Sequence, residues 1–217
     1  MAGNNRLPGA LRQFGVSIRA MVVLTVLLGL IYPVVMTGVA QAVFHSNANG
    51  SVVQVNGKDV ASSLIGQAYT KQAVKNGKPE VDANGKPVMV ADPRWFQTRP
   101  SAVAYDSMGS AASQYGPNSP DQLALVQERR KAVAALEGVD PSQVPPDALT
   151  ASGSGLDPQI SPAYAALQVN RVARERGLSV AQVQQLVNNN TSGRTLGFLG
   201  AARVNVVTLN RDLAALR

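Results

Sequence analysis

The sequence predicts an α+β fold: a single N-terminal transmembrane helix followed by one extracytoplasmic domain with a small sheet and several helices. Three observations carry this. A run from Ala20 to Phe44 holds no charged residue, whereas the rest of the chain is mixed. Three Ser-led helix starts stand in the second half of the chain. The strand-like stretches are few and short, and no regular βαβ repeat joins them.

The apolar run reads AMVVLTVLLGLIYPVVMTGVAQAVF. About 20 such residues at a 1.5 Å rise cross the roughly 30 Å hydrocarbon core. Arg6, Arg12 and Arg19 precede it with no acidic residue among them, and the first charges after it are Lys58 and Asp59. The positive-inside rule then puts residues 1–19 in the cytoplasm, 20–44 in the membrane and 45–217 outside. The competing reading is a secreted binding module whose first 42 residues are removed, because Ala40-Gln41-Ala42 resembles a signal-peptide cleavage site. The length of the stretch and its interruption by Tyr32, Pro33 and Gln41 favour a retained anchor. Pro33 cannot donate to the carbonyl of Gly29, so a kink is expected there. Thr25 with Gly29, and Gly38 with Ala42, are small residues four apart that would let another helix come close.

The exported part opens with a hairpin. SVVQV and KDV flank Asn56-Gly57, the preferred two-residue turn, and Ser63–Gln67 is expected to extend that sheet. Residues 68–93 are rich in Lys, Gly, Asn and Pro, with turn signals at Asn76-Gly77 and Asn84-Gly85, and read as a surface excursion. A helix starts at Ser119-Pro120-Asp121-Gln122, with the stripe Leu123, Val126, Val133, Leu136 and a stop at Gly138. A second runs from Ser161-Pro162 to Gly177, with the core face Ala165, Leu167, Val169 and Val172. A third starts at Ser179 with Gln182 and carries Val183, Leu186 and Val187. Arg203–Leu209, RVNVVTL, alternates and is rich in Val, which predicts a strand; Asn210–Leu216 is predicted helical.

Composition narrows the chemistry. Of 217 residues, 20 are basic and 13 acidic, a net +7; without the three N-terminal arginines 17 basic residues face 13 acidic ones. This dispersed charge, with 5% aromatics, is no nucleic-acid footprint. The chain has no cysteine, which excludes disulfides and thiolate metal sites. Its one histidine, His45, directly follows the apolar run and reads as an interfacial residue, not as a member of a catalytic triad. No G-x-x-x-x-G-K-[ST] phosphate cradle occurs. The most unusual stretch is LTASGSGLDPQISP, 149–162. Its Ser152, Gly153, Ser154 and Gly155 are candidates for a nucleotide- or anion-binding nest. The alternative is a tight loop whose hydroxyls cap neighbouring backbone and whose glycines hold backbone angles closed to other residues. Arg99, after Trp95-Phe96, is placed to hold an acidic partner in this domain or on another subunit.

Taken together, the Tyr32-Pro33 span, GSVVQVNGKDVASSLIGQ (50–67), Trp95-Phe96 with RPSA (99–102), LTASGSGLDPQISP (149–162), QVNRVARERGLS (168–179) and RVNVVTLN (203–210) resemble the C subunit of the Kdp-type high-affinity potassium-transporting ATPase. The likeness covers nearly the whole chain. It implies a non-catalytic accessory subunit of an ATP-driven K⁺ import complex in the cell membrane. The implied partners are a channel-like K⁺-translocating subunit, a P-type ATPase subunit and a small peptide subunit. ATP and K⁺ would be handled by the complex, with no cofactor of this chain's own, and the chain lacks the D-K-T-G-T phosphorylation sequence. The family is also described as a catalytic chaperone that raises the ATP affinity of the ATPase subunit. An extracytoplasmic domain makes direct ATP contact hard to understand; a nucleotide-binding regulator acting from the cytoplasm is the reading that opposite topology would allow. Two departures stand out: the 68–93 segment is longer than the family's pattern, and Ala201-Ala202 replaces an acidic or amide residue followed by Pro.

Overall fold

The structure is a computed structural model that describes residues 9–55 and 57–216; Arg6 and Asn56, both named above, lie outside the described residues. The chain divides into two compact units, one up to Ser51 and one from Val52 onward.

The first unit is a helix of 35 residues, Gly9–Val43, long and apolar enough to cross a membrane. It consists of α1 (Gly9–Leu24), a π-helical stretch (Thr25–Ile31) and α2 (Tyr32–Val43). The π-stretch lies where the sequence predicts a kink. Pro33 has no N–H to give and its ring crowds the turn before it. The helix widens there, so that Tyr32 N–H donates to the Leu27 carbonyl five residues back. Thr25 and Gly29 belong to the π-stretch, Pro33, Gly38 and Ala42 to α2. Nine residues are roughly two and a half α-turns, so Gly29 and Gly38 face different sides. After Phe44 a single turn, α3 (His45–Ala48), carries the exposed His45, and the Asn49 side chain closes it by donating to the His45 carbonyl at 2.7 Å.

The second unit begins with the antiparallel hairpin β1 (Val52–Val55) and β2 (Lys58–Ser62). Ser63–Gln67 does not extend this sheet. Instead Gly66 N–H donates to the Leu156 carbonyl at 2.7 Å, and a long-range partner replaces the expected ladder. The excursion is a ribbon of short pairs, β3 (Thr70–Gln72) with β6 (Met89–Ala91) and β4 (Val74–Lys75) with β5 (Lys78–Pro79). Asn76 and Gly77 both have positive φ, at 53° and 77°, as a tight two-residue turn requires.

Three helices begin at the predicted serines. In α4 (Pro120–Glu137), α5 (Pro162–Arg176) and α6 (Val180–Asn189) the hydroxyls of Ser119, Ser161 and Ser179 accept the N–H of Gln122, Tyr164 and Gln182. Only the last is closed by its Gln in a reciprocal box; the Gln122 Oε1 has no partner. Of the stripe predicted for α4, Val126 and Val133 pack against the core and Leu136 is half-buried; Leu123 is 58% exposed, and Ala134 and Glu137 are the residues that become buried. On α5, Ala165, Val169 and Val172 enter the core as predicted; Leu167 is only half-buried, and Tyr164, Gln168, Arg171 and Ala173 are buried with them. They pack with Val183 and Val187 of α6.

The predicted strand at 203–209 is only half a strand. β9 (Arg203–Asn205) is the centre of a three-stranded antiparallel sheet between β7 (Gln159–Ile160) and β8 (Thr191–Ser192). At Asn205 the chain turns into α7 (Val206–Ala215), because the Asn205 side chain accepts the N–H of Val207 and Thr208 and so caps a helix. Val206, Leu209, Asn210 and Leu213 are buried at helical spacing. The run of Val mimics strand alternation until this cap is seen.

Candidate functional site

The 149–162 segment sits at a junction of four parts of the second unit. It begins at Leu149, directly after the 3-10 turn Pro146–Ala148, and the Leu149 carbonyl accepts from Arg129 Nη1 of α4 at 2.9 Å. Arg99 Nη2 lies 3.3 and 3.4 Å from the next two carbonyls, those of Thr150 and Ala151. Two guanidiniums thus hold three successive carbonyls. The acidic partner of Arg99 is in the same domain: Asp157, at 3.6 Å, half-exposed.

Ser152, Gly153, Ser154 and Gly155 form one tight turn. The buried Ser152 Oγ accepts Gly155 N–H at 2.8 Å, and Ser154 Oγ accepts Leu156 N–H at 3.1 Å. The Ser154 carbonyl accepts from Ala111 N–H and Ser110 Oγ, and the Gly155 carbonyl from Ser101 Oγ at 2.7 Å. Two N–H groups that an anion nest would point outward are therefore spent inside the loop. The glycines differ. Gly155 is buried with φ +70°, and a Cβ there would lie 2.7 Å from Val103 Cγ2 and 2.9 Å from the Ala111 carbonyl. Gly153 is exposed, has no positive φ and has open space where a Cβ would go. The expectation that both hold special backbone angles applies to Gly155 alone.

Gly66 seals the other side. A Cβ there would run into the Tyr105 ring and stand 2.8 Å from the Asp157 carbonyl. Tyr105 donates its hydroxyl to the Arg99 carbonyl at 2.8 Å, and burial pushes its phenol above the ordinary value. At the exit, Asp147 accepts both the N–H and the hydroxyl of Ser161, at 2.7 and 2.9 Å. Ala201-Ala202 line a cleft of about 380 Å³ together with Arg99, Asp157, Ser161 and Arg203.

A second polar centre lies under Pro93–Gln97. Arg171, 1% exposed, gives Nε to both oxygens of Glu137 at 3.0 Å, Nη2 to Gln168 Oε1 at 2.8 Å, and Nη1 to the carbonyls of Pro93 and Trp95. Two side-chain amides clamp consecutive backbone units: Asn210 accepts from and donates to Phe96, and Gln168 does the same to Gln97. Outside, Arg176 lies 4.1 Å above the Trp95 ring, a cation–π contact. Burial pushes the Glu137 carboxyl upward against the pull of Arg171. None of this was singled out from sequence, although one signal exists: Gln168 and Arg171 lie among the apolar residues of α5, where a buried polar group must find a partner. Among the described residues no group of three His, Cys, Asp or Glu is placed to hold a metal ion.

The arrangement is one of polar side chains tying loops to helices, with Trp95-Phe96, Arg99 and the Ser/Gly turn all used as fasteners. Comparison with known proteins agrees with the resemblance. The family described as K⁺-transporting ATPase, c chain, matches residues 14–215. The potassium-transporting ATPase KdpC subunit of Streptomyces coelicolor is 44% identical over 98% of this chain and 96% of its own length. That of Kineococcus radiotolerans is 46% identical over 95% of both chains, and that of Caldanaerobacter subterraneus 43% identical over 91% of this chain and 92% of its own. The chain therefore belongs to the KdpC family, the C subunits of potassium-transporting ATPases.

Proposed function

We propose that the chain is the single-span, non-catalytic subunit of an ATP-driven K⁺ import complex, with its N-terminus in the cytoplasm and the unit from Val52 onward outside. Its partners in this reading are the channel-like K⁺-translocating subunit, the P-type ATPase subunit and the small peptide subunit. Its work is to assemble and stabilise them. Any rise in the ATP affinity of the ATPase subunit then passes through subunit contacts, and ATP and K⁺ are held by the complex.

The observation that carries this is the inward use of the Ser152–Gly155 turn. Its two hydroxyls accept N–H groups of its own loop, and the carbonyls of Ser154 and Gly155 accept from Ser110, Ala111 and Ser101. That supports a structural part, not a nucleotide cradle. The inference from charge adds to it, since Arg12 and Arg19, in the first turns of the long helix, precede its uncharged run from Ala20 onward.

Two measurements test the reading. Gentle detergent extraction of a tagged full chain should co-purify the other three subunits, identified by mass. In that complex, Ser152→Ala with Ser154→Ala should leave the ATP concentration for half-maximal ATPase activity within about twofold. A large rise in that concentration with unchanged complex yield would restore the nucleotide-loop reading. Protease digestion of residues 45–217 from outside intact cells tests the topology; protection there would reverse it.

A further inference from the structure

We infer that the second unit carries a binding site for a small apolar carboxylate, in the cleft between α4, the β3–β6 pair and the Thr98–Tyr105 loop. The cleft measures about 530 Å³, within the roughly 300–1,000 Å³ of small-ligand sites. This goes beyond the transport reading and does not depend on it.

The walls are apolar. Helix α4 turns Ala132, Val133 and Leu136 toward the cleft, one face at helical spacing, and Val90 and Ala91 of β6 stand in the lining with them. The same face of α4 begins with Arg129, and Arg99 lines the cleft as well, whereas no Asp or Glu does. An apolar body with a negative end fits this lining, and a cation does not.

The donors in the cleft are underused. Among the described residues Arg129 makes no ion pair; its Nη1 bonds the Leu149 carbonyl, which leaves most of its fork unengaged. The buried Nε of Arg99 likewise has no hydrogen-bond partner among the described residues. Tyr164, another lining residue, is 2% exposed, so its phenol stands at the inner wall of the cleft. Burial pushes the Tyr164 phenol far above its ordinary value, so it stays a donor. Arg99 is already paired with Asp157, so the unengaged part of the Arg129 fork, with the Arg99 Nε beside it and no Asp or Glu in the lining, makes a carboxylate the complementary group, and the guanidinium fork matches its two oxygens. The buried position of Tyr164 favours a small molecule that reaches it over a protein segment lying across the opening. Because Arg99 and Arg129 also hold the carbonyls of Leu149, Thr150 and Ala151, an occupant would bear on the Ser/Gly segment as well.

The test uses the full chain in a lipid nanodisc and hexanoate as the probe, with hexan-1-ol and hexylamine as neutral and cationic counterparts, read by saturation-transfer NMR. The expected result is saturable hexanoate binding, at least tenfold tighter than either counterpart. Arg129→Gln should weaken it at least tenfold and Arg129→Lys less. Tyr164→Phe should weaken it severalfold, and Val133→Trp, which fills the cleft, should abolish it in a chain that still unfolds cooperatively. Equal binding of all three probes, no saturable binding, or full binding to the Val133→Trp chain would overturn the assignment. So would a photo-crosslinker at position 133 that captures an identified segment of a partner subunit in the assembled complex while hexanoate is excluded, because the occupant would then be that segment.

Discussion

Replacing Gly155 with Ala tests whether the Ser/Gly turn is a structural part. The new methyl group has two costs. At φ +70° an L-residue is in the left-handed region, which costs about 1–2 kcal/mol. The Cβ would also stand 2.7 Å from Val103 Cγ2 and 2.9 Å from the Ala111 carbonyl. The second of these is backbone and cannot swing aside, so an overpacking cost of about 1–3 kcal/mol is added. The expected total is about 2–5 kcal/mol. Gly153→Ala, two residues away in the same turn, meets open space at an ordinary φ and should change stability by less than about 1 kcal/mol, with a gain possible through the unfolded chain. The assay is thermal unfolding of the full chain followed by fluorescence. Trp95 is the single tryptophan and sits in the second unit against Tyr69 and Arg176, so it reports that unit alone. At about 2–4 °C per kcal/mol for a domain of this size, Gly155→Ala should lower the melting temperature by roughly 4–20 °C. Equal melting of Gly155→Ala and the unaltered chain, or an equal loss from Gly153→Ala, would refute the reasoning.

Other substitutions probe the fasteners. Arg171→Met leaves Glu137 buried without its cation and should cost about 3–5 kcal/mol; adding Glu137→Leu should recover part of this, but not the bonds to the Pro93 and Trp95 carbonyls. A cycle in urea that shows additive losses would mean the pair is not coupled. Asn210→Leu removes both bonds to the Phe96 backbone and should cost about 2–4 kcal/mol from two unsatisfied buried groups, measured by the same unfolding. The Arg94 guanidinium beside buried Asp92 holds its carboxyl below the ordinary Asp value of 3.8, against the opposing effect of burial. A lowered folded value means a contribution fully present above the unfolded value and lost as pH falls through the folded one. Asp92→Asn should therefore lower the melting temperature at pH 7 and converge with the unaltered chain in strong acid; a gap that stays constant down to pH 2 would contradict this.

The signals legible in the sequence are those complete within a few residues. Ser119, Ser161 and Ser179 start helices because a hydroxyl meets an N–H three residues on, whatever the rest of the chain does. The apolar helix from Gly9 to Val43 and the two-residue turn at Asn76-Gly77 are equally local. Misreadings occur where local pattern is ambiguous. RVNVVTL satisfies a period of two over its first residues and a period of 3.6 over its last, and the Asn205 cap settles the division. The stripe on α4 holds at Val126 and Val133 and fails at Leu123, because the first turn of that helix faces solvent while the core reaches Ala134 and Glu137 near its end.

By itself, then, the sequence determined the α+β class, the long apolar N-terminal helix, the helix starts and the family, since each rests on short-range chemistry or on whole motifs. Only the tertiary structure decided what the motifs do. That Arg99 meets Asp157 within one domain, that Gly155 but not Gly153 is confined, that Arg171 ends in a ring of carbonyls with Glu137, and that Tyr164 and Arg129 line one cleft all depend on residues tens of positions apart. Such pairings follow from how the elements close on one another, and burial decides which polar groups must be satisfied there and which remain available to a ligand.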